Sequence, residues 1–301
     1  MSTLHKLLCA CAWVIAAVPS ALAQERTETG YTMDWTRTLQ ERADPLVNAR
    51  HTLTGRSFVV YECGAGEAMG YWKKRMEELG GAAKSSKPVR VTGASVPGLG
   101  IAVPLVLANV QKDREAGGVR LIVAFALNDT TAAPDDPGMP AAVHDMAVQV
   151  NRAVVQRQIV EQEARLKKIT GQVKDAQKEE AKASEQAGDA GKDLEKVNEK
   201  QAKLARKQAD LQKELAKLQA KYQSDQDPKT LEKIAKTQQR IADGEKDVAK
   251  AQQAESKAQA HKNKHEEAIP DAQKLEQKQQ TRKDLATREL EALKRKLEAI
   301  R

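Results

Sequence analysis

Residues 166–222 read LKKITGQVKDAQKEEAKASEQAGDAGKDLEKVNEKQAKLARKQADLQKELAKLQAKY. At alternating steps of three and four the stretch presents Leu166, Ile169, Val173, Ala176, Glu180, Ala183, Ala187, Ala190, Leu194, Val197, Gln201, Leu204, Gln208, Leu211, Leu215, Leu218 and Tyr222. An unslipped 3-4 rhythm puts these residues on one stripe of a long helix, the pattern of a coiled-coil seam. The seam is strong from Leu194 to Tyr222. It is weak from Ala176 to Ala190, where alanines, Gly188 and the polar Glu180 bury less apolar area.

Downstream, Ser224-Asp225-Gln226-Asp227-Pro228 breaks the helix, because the residue before a proline is pushed out of helical geometry and Asp and Ser favour turns and caps. A second helix then carries Leu231, Ile234, Ile241 and Val248 and closes with Leu290, Leu293, Leu297 and Ile300. Two arms of equal length predict an antiparallel hairpin with its tip near 223–229, in which paired residue numbers add to 453. Leu211, Leu215 and Leu218 would then meet Leu231, Ile234 and Ile241, and Pro270, a helix-loosening residue, would lie opposite Ala183.

Outward from the rod, composition divides the chain. From Arg152 to Arg301 there are 35 Lys and Arg against 27 Asp and Glu, so the whole net charge of +8 lies there and the remainder is neutral. Of the nine aromatic residues only Tyr222 falls in that half, which therefore cannot build a globular core of its own. The basic charge is interleaved with acidic charge and lacks aromatic neighbours for stacking, which argues against nucleic acid and leaves room for weak contact with anionic envelope surfaces.

The first 23 residues have a positive start at Lys6, an apolar run and an Ala21-Leu22-Ala23 exit, the layout of a cleaved secretory signal. The apolar run is too short for a membrane span. The expected mature protein is periplasmic, has no transmembrane segment and keeps one cysteine, Cys63, expected to be a buried, unpaired thiol in a strand.

Residues 24–138 are expected to form a small α+β domain with an antiparallel sheet covered on one face. Phe58-Val59-Val60-Tyr61-Glu62-Cys63 is strand-like, and Met69, Trp72, Met76 and Leu79 mark a helix ended by Gly80-Gly81. Val89 to Val91 and a hairpin turning at Glu115-Ala116-Gly117-Gly118 supply further strands. Pro140 opens a helix that reaches the seam without a breaker, so 139–301 is read as one long helical hairpin.

Chemistry is sparse. His261 and His265 are spaced i, i+4, but no third ligand is fixed nearby and Lys262 and Lys264 flank them, so a solvated helix face is expected. Gly93, Gly98 and Gly100 lack a phosphate-loop pattern and read as a strand-connecting loop. The expectation is no catalytic, cofactor-binding or metal residue and no cofactor.

Met139-Pro140-Ala141-Ala142, Met146, Gln149-Val150-Asn151 and Gln162-Glu163-Ala164-Arg165-Leu166-Lys167-Lys168 resemble a family of uncharacterised secreted bacterial proteins. In that family a small α+β domain runs into a Lys/Glu-rich coiled coil. A looser likeness is to periplasmic holdase chaperones with basic helical-hairpin arms. The resemblance implies no activity. The expected function is a non-enzymatic extracytoplasmic interaction or scaffold protein, acting on a protein partner or by self-association through the coiled coil. A holdase chaperone or envelope assembly factor is one alternative, and an enzyme or binding site for a small molecule in the α+β domain is another.

Overall fold

A computed structural model describes residues 30–301, and the expected secretory signal at residues 1–23 lies outside them. The described chain is a small antiparallel-sheet domain followed by two long helices that pack on each other as a hairpin. Residues 30–161 with 289–301 make one compact unit, and residues 162–288 make the other.

In the first unit the strands are β1 (Arg42–Ala43), β2 (Leu46–Asn48), β3 (His51–Leu53), β4 (Arg56–Tyr61), β5 (Ala82–Lys84), β6 (Val89–Thr92), β7 (Leu105–Asp113) and β8 (Gly118–Ala126). Six of them form one sheet in the order β1-β4-β8-β7-β6-β5, every pair antiparallel, while β2 and β3 form a separate ribbon. The hairpin of β7 and β8 pairs Leu105 with Ala126 and Asp113 with Gly118. Because side chains alternate along a strand, Phe58, Leu121, Val123 and Val106 share one face, and Ile122, Ala124, Leu105 and Leu107 the other.

Helix α1 (Ala65–Glu78) packs on β5, β7 and β8 through Ala68, Met69, Trp72 and Met76, all buried. It stops as its sequence demands: Gly80 adopts φ 85°, and the Gly80 and Gly81 amides donate to the Glu77 and Met76 carbonyls. The sheet was expected to be covered on one face only, and here the structure differs. Leu46 and Leu53 of the β2–β3 ribbon cluster with Leu105, Leu107, Ile122, Ala124 and Ala126 on the second face. The ribbon is two three-residue strands with polar flanks, too short to show a period in sequence.

Helix α2 (Met139–Asp225) is continuous over 87 residues, and its start is tied to the sheet by Asn151. β1 pairs only with Arg56 and Ser57 of β4, leaving the rest of that strand's outer edge open. The Asn151 amide fills it: Nδ2 donates to the Val59 carbonyl at 3.0 Å, and Oδ1 accepts from the Tyr61 amide at 3.1 Å. One side chain thus does what a neighbouring strand would do.

In the second unit, every seam residue named from Leu166 to Tyr222 is buried or half-buried. Helix α3 (Pro228–Ala299) runs antiparallel to α2. Gln177 donates to Glu276 at 3.0 Å and Gln273 to Glu180 at 3.1 Å, two cross-arm bonds whose residue numbers add to 453. On α3 the residues turned inward include Thr230, Ile234, Thr237, Ile241, Gly244, Val248 and Ala251. Leu231 was expected in this set and is instead 50 % exposed. The phase set by Ile234 and Ile241 selects Thr230, one residue earlier.

The tip is chemically specified. Gln226 takes φ 48° and donates its amide to the Tyr222 carbonyl, closing α2. Asp227 opens α3: its carboxylate accepts from the Lys229 amide at 3.1 Å and the Thr230 hydroxyl at 3.3 Å, just before Pro228 in the first turn. Asp227→Ala is expected to cost about 1 kcal/mol of hairpin stability, read as a lower thermal midpoint by circular dichroism.

Gly244 has a different origin. A Cβ there would come within 2.3 Å of Gln208 Oε1, and Gln208 Nε2 donates to the Ile241 carbonyl at 3.1 Å. The glycine seats that side chain between the arms. An alanine at Gly171, where nothing lies within 4 Å of the new Cβ, is expected to raise stability by about 1 kcal/mol. Gly244→Ala is expected to gain less, because Gln208 must move; equal gains in the two variants would show that the Gln208 bond contributes nothing.

Candidate functional site

The residues that attracted attention in the sequence fall in three separate places. Gly93 and Gly98 have φ of 75° and 85° in the loop joining β6 to β7. The Gly100 amide donates to Asp136 Oδ2 at 3.0 Å, and the other oxygen of that carboxylate accepts from Gly138 at the start of α2 at 2.7 Å. The glycine loop therefore packs on a helix start whose amide already has a carboxylate. His261 and His265 lie on α3, with Nε2 atoms 3.1 Å apart.

Cys63 was expected to be a buried, unpaired thiol at the end of a strand. It follows β4, which ends at Tyr61, and is half-buried and free. Glu62 at φ 56° turns the chain out of the strand before Cys63 is reached. Burial, reinforced by the Glu67 carboxylate, pushes the thiol up to about 12. Native Cys63 is expected to react with iodoacetamide at mildly alkaline pH at least about tenfold more slowly than the unfolded chain, since only the thiolate attacks. Equal rates would contradict this environment.

The most developed polar constellation in the first unit went unnoticed in the sequence. Lys296, near the end of α3, is 2 % exposed. Its ammonium donates to Glu62 at 2.6 Å, to the Thr32 carbonyl at 2.9 Å, to the Thr32 hydroxyl at 3.1 Å and to Gln158 Oε1 at 3.5 Å. Glu62 in turn accepts from Gln158 Nε2 at 2.9 Å and from the Thr32 hydroxyl. Four segments far apart in the chain converge on one ion pair, and all three ammonium donors are used.

Electrostatics follow from that burial. Desolvation works to raise the Glu62 carboxyl, but the Lys296 ammonium, the Thr32 hydroxyl and the Gln158 amide together hold it below its ordinary value. Desolvation lowers Lys296, with Glu62 partly offsetting it. An ammonium so fully engaged is suited to holding segments together. Beside this node Arg157 bridges Glu67 at 2.8 Å and Glu161 at 3.4 Å, while the Tyr31 hydroxyl donates to Glu161 and the Tyr71 hydroxyl to Glu67.

On the second face of the sheet a polar hollow of about 260 Å³ is lined by Arg42, Ser57, Tyr61, Asp113 and Arg120. Of its lining cations, Arg120 is paired with Asp113 at 2.6 Å and with Asp44 at 3.6 Å. Among the described residues no cluster of three or more His, Cys, Asp or Glu could hold a metal ion, and no helix is long and apolar enough to cross a membrane. No protein-family model matches this chain, and no curated protein matches it.

In the sequence, Lys296 sits in a Lys-Arg-Lys run that reads as solvated helix surface. The only cue was Glu62, a lone charge between Tyr61 and Cys63 at the end of an apolar run. Finding its partner requires knowing that α3 returns to the first unit.

Proposed function

We propose that this chain is a non-enzymatic extracytoplasmic interaction or scaffold protein whose helical hairpin is the working element. The observation that supports the reading is the seam: one 3-4 phase is kept along the whole of α2 from Leu166 to Tyr222 and matched by inward residues of α3. Outside the seam the arms carry short-range ion pairs such as Lys192–Asp189, Lys196–Asp193 and Lys236–Glu232. Exposed pairs of this kind add little stability but keep a long surface soluble and available to a partner. Extracytoplasmic placement, in the periplasm, rests on the secretory layout of residues 1–23.

Photocrosslinking residues placed at exposed positions of the hairpin, such as Lys207 and Gln252, and at Arg50 or Lys84 of the first unit, test this in the native cell envelope. Capture of the same partner from several hairpin positions is expected. Capture only from the first unit would overturn the reading.

A second reading, a holdase chaperone, draws on apolar side chains that α3 leaves outside its seam: Leu231 at 50 % exposure and Leu275 at 44 %. Such side chains could hold an unfolded client. Suppressed aggregation of an unfolded outer-membrane protein at stoichiometric amounts of this chain would support it, and no effect there would remove it.

A further inference from the structure

We propose that His261 and His265 form a two-nitrogen binding site for a first-row divalent transition-metal ion on α3. The two residues stand one turn apart on one helix face, and their Nε2 atoms are 3.1 Å apart with ring centroids at 4.4 Å. A metal held by two imidazoles at about 2.0–2.1 Å, with an angle at the metal between the square and the tetrahedral value, requires its two nitrogens to be roughly 2.9–3.4 Å apart. The observed separation lies inside that window. The side chains are already set at the bite of a chelate.

The surroundings suit a cation better than the sequence alone suggests. Lys262, which flanks the pair, has its ammonium 3.4 Å from Glu266. On the other arm the register of the hairpin sets Asp193 opposite Ala260, next to His261, and the Lys196 ammonium there is paired with Asp193 at 2.9 Å. The register that joins Gln177 to Glu276 sets Gly188 opposite His265, and nothing lies within 4 Å of where a Gly188 Cβ would be. There is room for the water ligands that complete the coordination.

The donor set points to the ion. Imidazole nitrogens suit Cu²⁺, Ni²⁺ and Zn²⁺, with Cu²⁺ bound most tightly, and hard oxygen-seeking Mg²⁺ and Ca²⁺ are not expected to compete. A bound ion would clasp one turn of α3 in the stretch facing the alanine- and glycine-rich part of α2, and by mass action would stabilise the folded hairpin. The same 3.1 Å contact also fits a hydrogen bond between two neutral imidazoles, and metal titration separates the two.

The test is a calorimetric titration of the full chain with Zn²⁺ in metal-free buffer, beside the His261→Gln and His265→Gln variants and their combination. One site per chain is expected, weakened at least about tenfold in each single variant and lost in the double variant. His261 is exposed, so His261→Gln remains a clean comparison even if half-buried His265 affects the helix. Paramagnetic resonance with Cu²⁺ should show two equatorial nitrogens in the parent chain. Absence of Zn²⁺ binding up to millimolar concentration, or binding that the double variant retains, would overturn the proposal.

Discussion

Lys296→Ala is expected to lower the stability of the first unit by roughly 3–5 kcal/mol, the usual result of removing one partner of a buried ion pair. The loss is large because the alanine leaves the Glu62 carboxylate, the Thr32 carbonyl and Gln158 Oε1 without the ammonium they share. Trp35 and Trp72 both lie in this unit, so urea unfolding followed by tryptophan fluorescence reads it directly. Replacing both partners, as Lys296→Met with Glu62→Leu, is expected to cost much less than either single change, since no charge is left buried. A double variant as unstable as the sum of the singles would mean that Lys296 acts through packing alone.

The pair also sets a pH dependence. The folded value of Glu62 is depressed, so its contribution is present above the unfolded carboxylate value of about 4.3 and lost as pH falls through the folded value. Lys296 has the opposite character: its lowered folded value opposes folding while the ammonium is charged, and that opposition fades only as pH rises toward the ordinary lysine value. Parent protein is therefore expected to lose more stability than Glu62→Gln on acidification below about pH 4.3. Parallel acid profiles would remove Glu62 as a source of that loss.

Pro270→Ala is expected to raise the stability of the hairpin, by up to about 3 kcal/mol, the difference between proline and alanine inside a helix. α3 runs on through Pro270, where the ring removes the amide hydrogen bond to the Glu266 carbonyl and crowds it. Pro270 is exposed, so alanine sacrifices no packing, while its neighbours Ile269 and Ala272 stay turned toward α2. Thermal unfolding followed by far-UV circular dichroism reports the second unit, which carries most of the helix. An unchanged or lower midpoint would show that the proline sets a local bend on which the packing of Ile269 depends.

What could be read in advance tracks how physical information is written in a chain. The α2 seam was legible because every residue on it, Glu180 and the glutamines included, keeps one phase over the whole stretch. The α3 seam was legible only near its ends. Its middle turns Gly244, Lys262, His265, Gln279 and Lys283 inward, residues that no apolar pattern marks. Leu231 misled for the converse reason: an apolar residue near a helix start lay one step out of phase. β4, α1 and the β7–β8 hairpin each have a long apolar run or a glycine stop, whereas β2, β3 and β5 are three residues long and have neither. The Lys296 node was beyond local reading, since it joins residues separated by 264 positions.

Asn151 carries a consequence for how this protein can meet others. Partners that recognise a sheet often add a strand to its open edge, using main-chain hydrogen bonds as the adhesive. On the β4 side that route is shut, because β1 and the Asn151 amide together occupy the edge from Arg56 to Tyr61. On the far side the edge is β5, three residues long, ending in Lys84 with Lys87 close behind, and short lysine-bearing edges discourage pairing. Both outer strands of the sheet are thus poor templates for backbone zippering. A partner that meets the domain at either of these two edges must do so through side chains, and two copies have little means of joining their sheets edge to edge there.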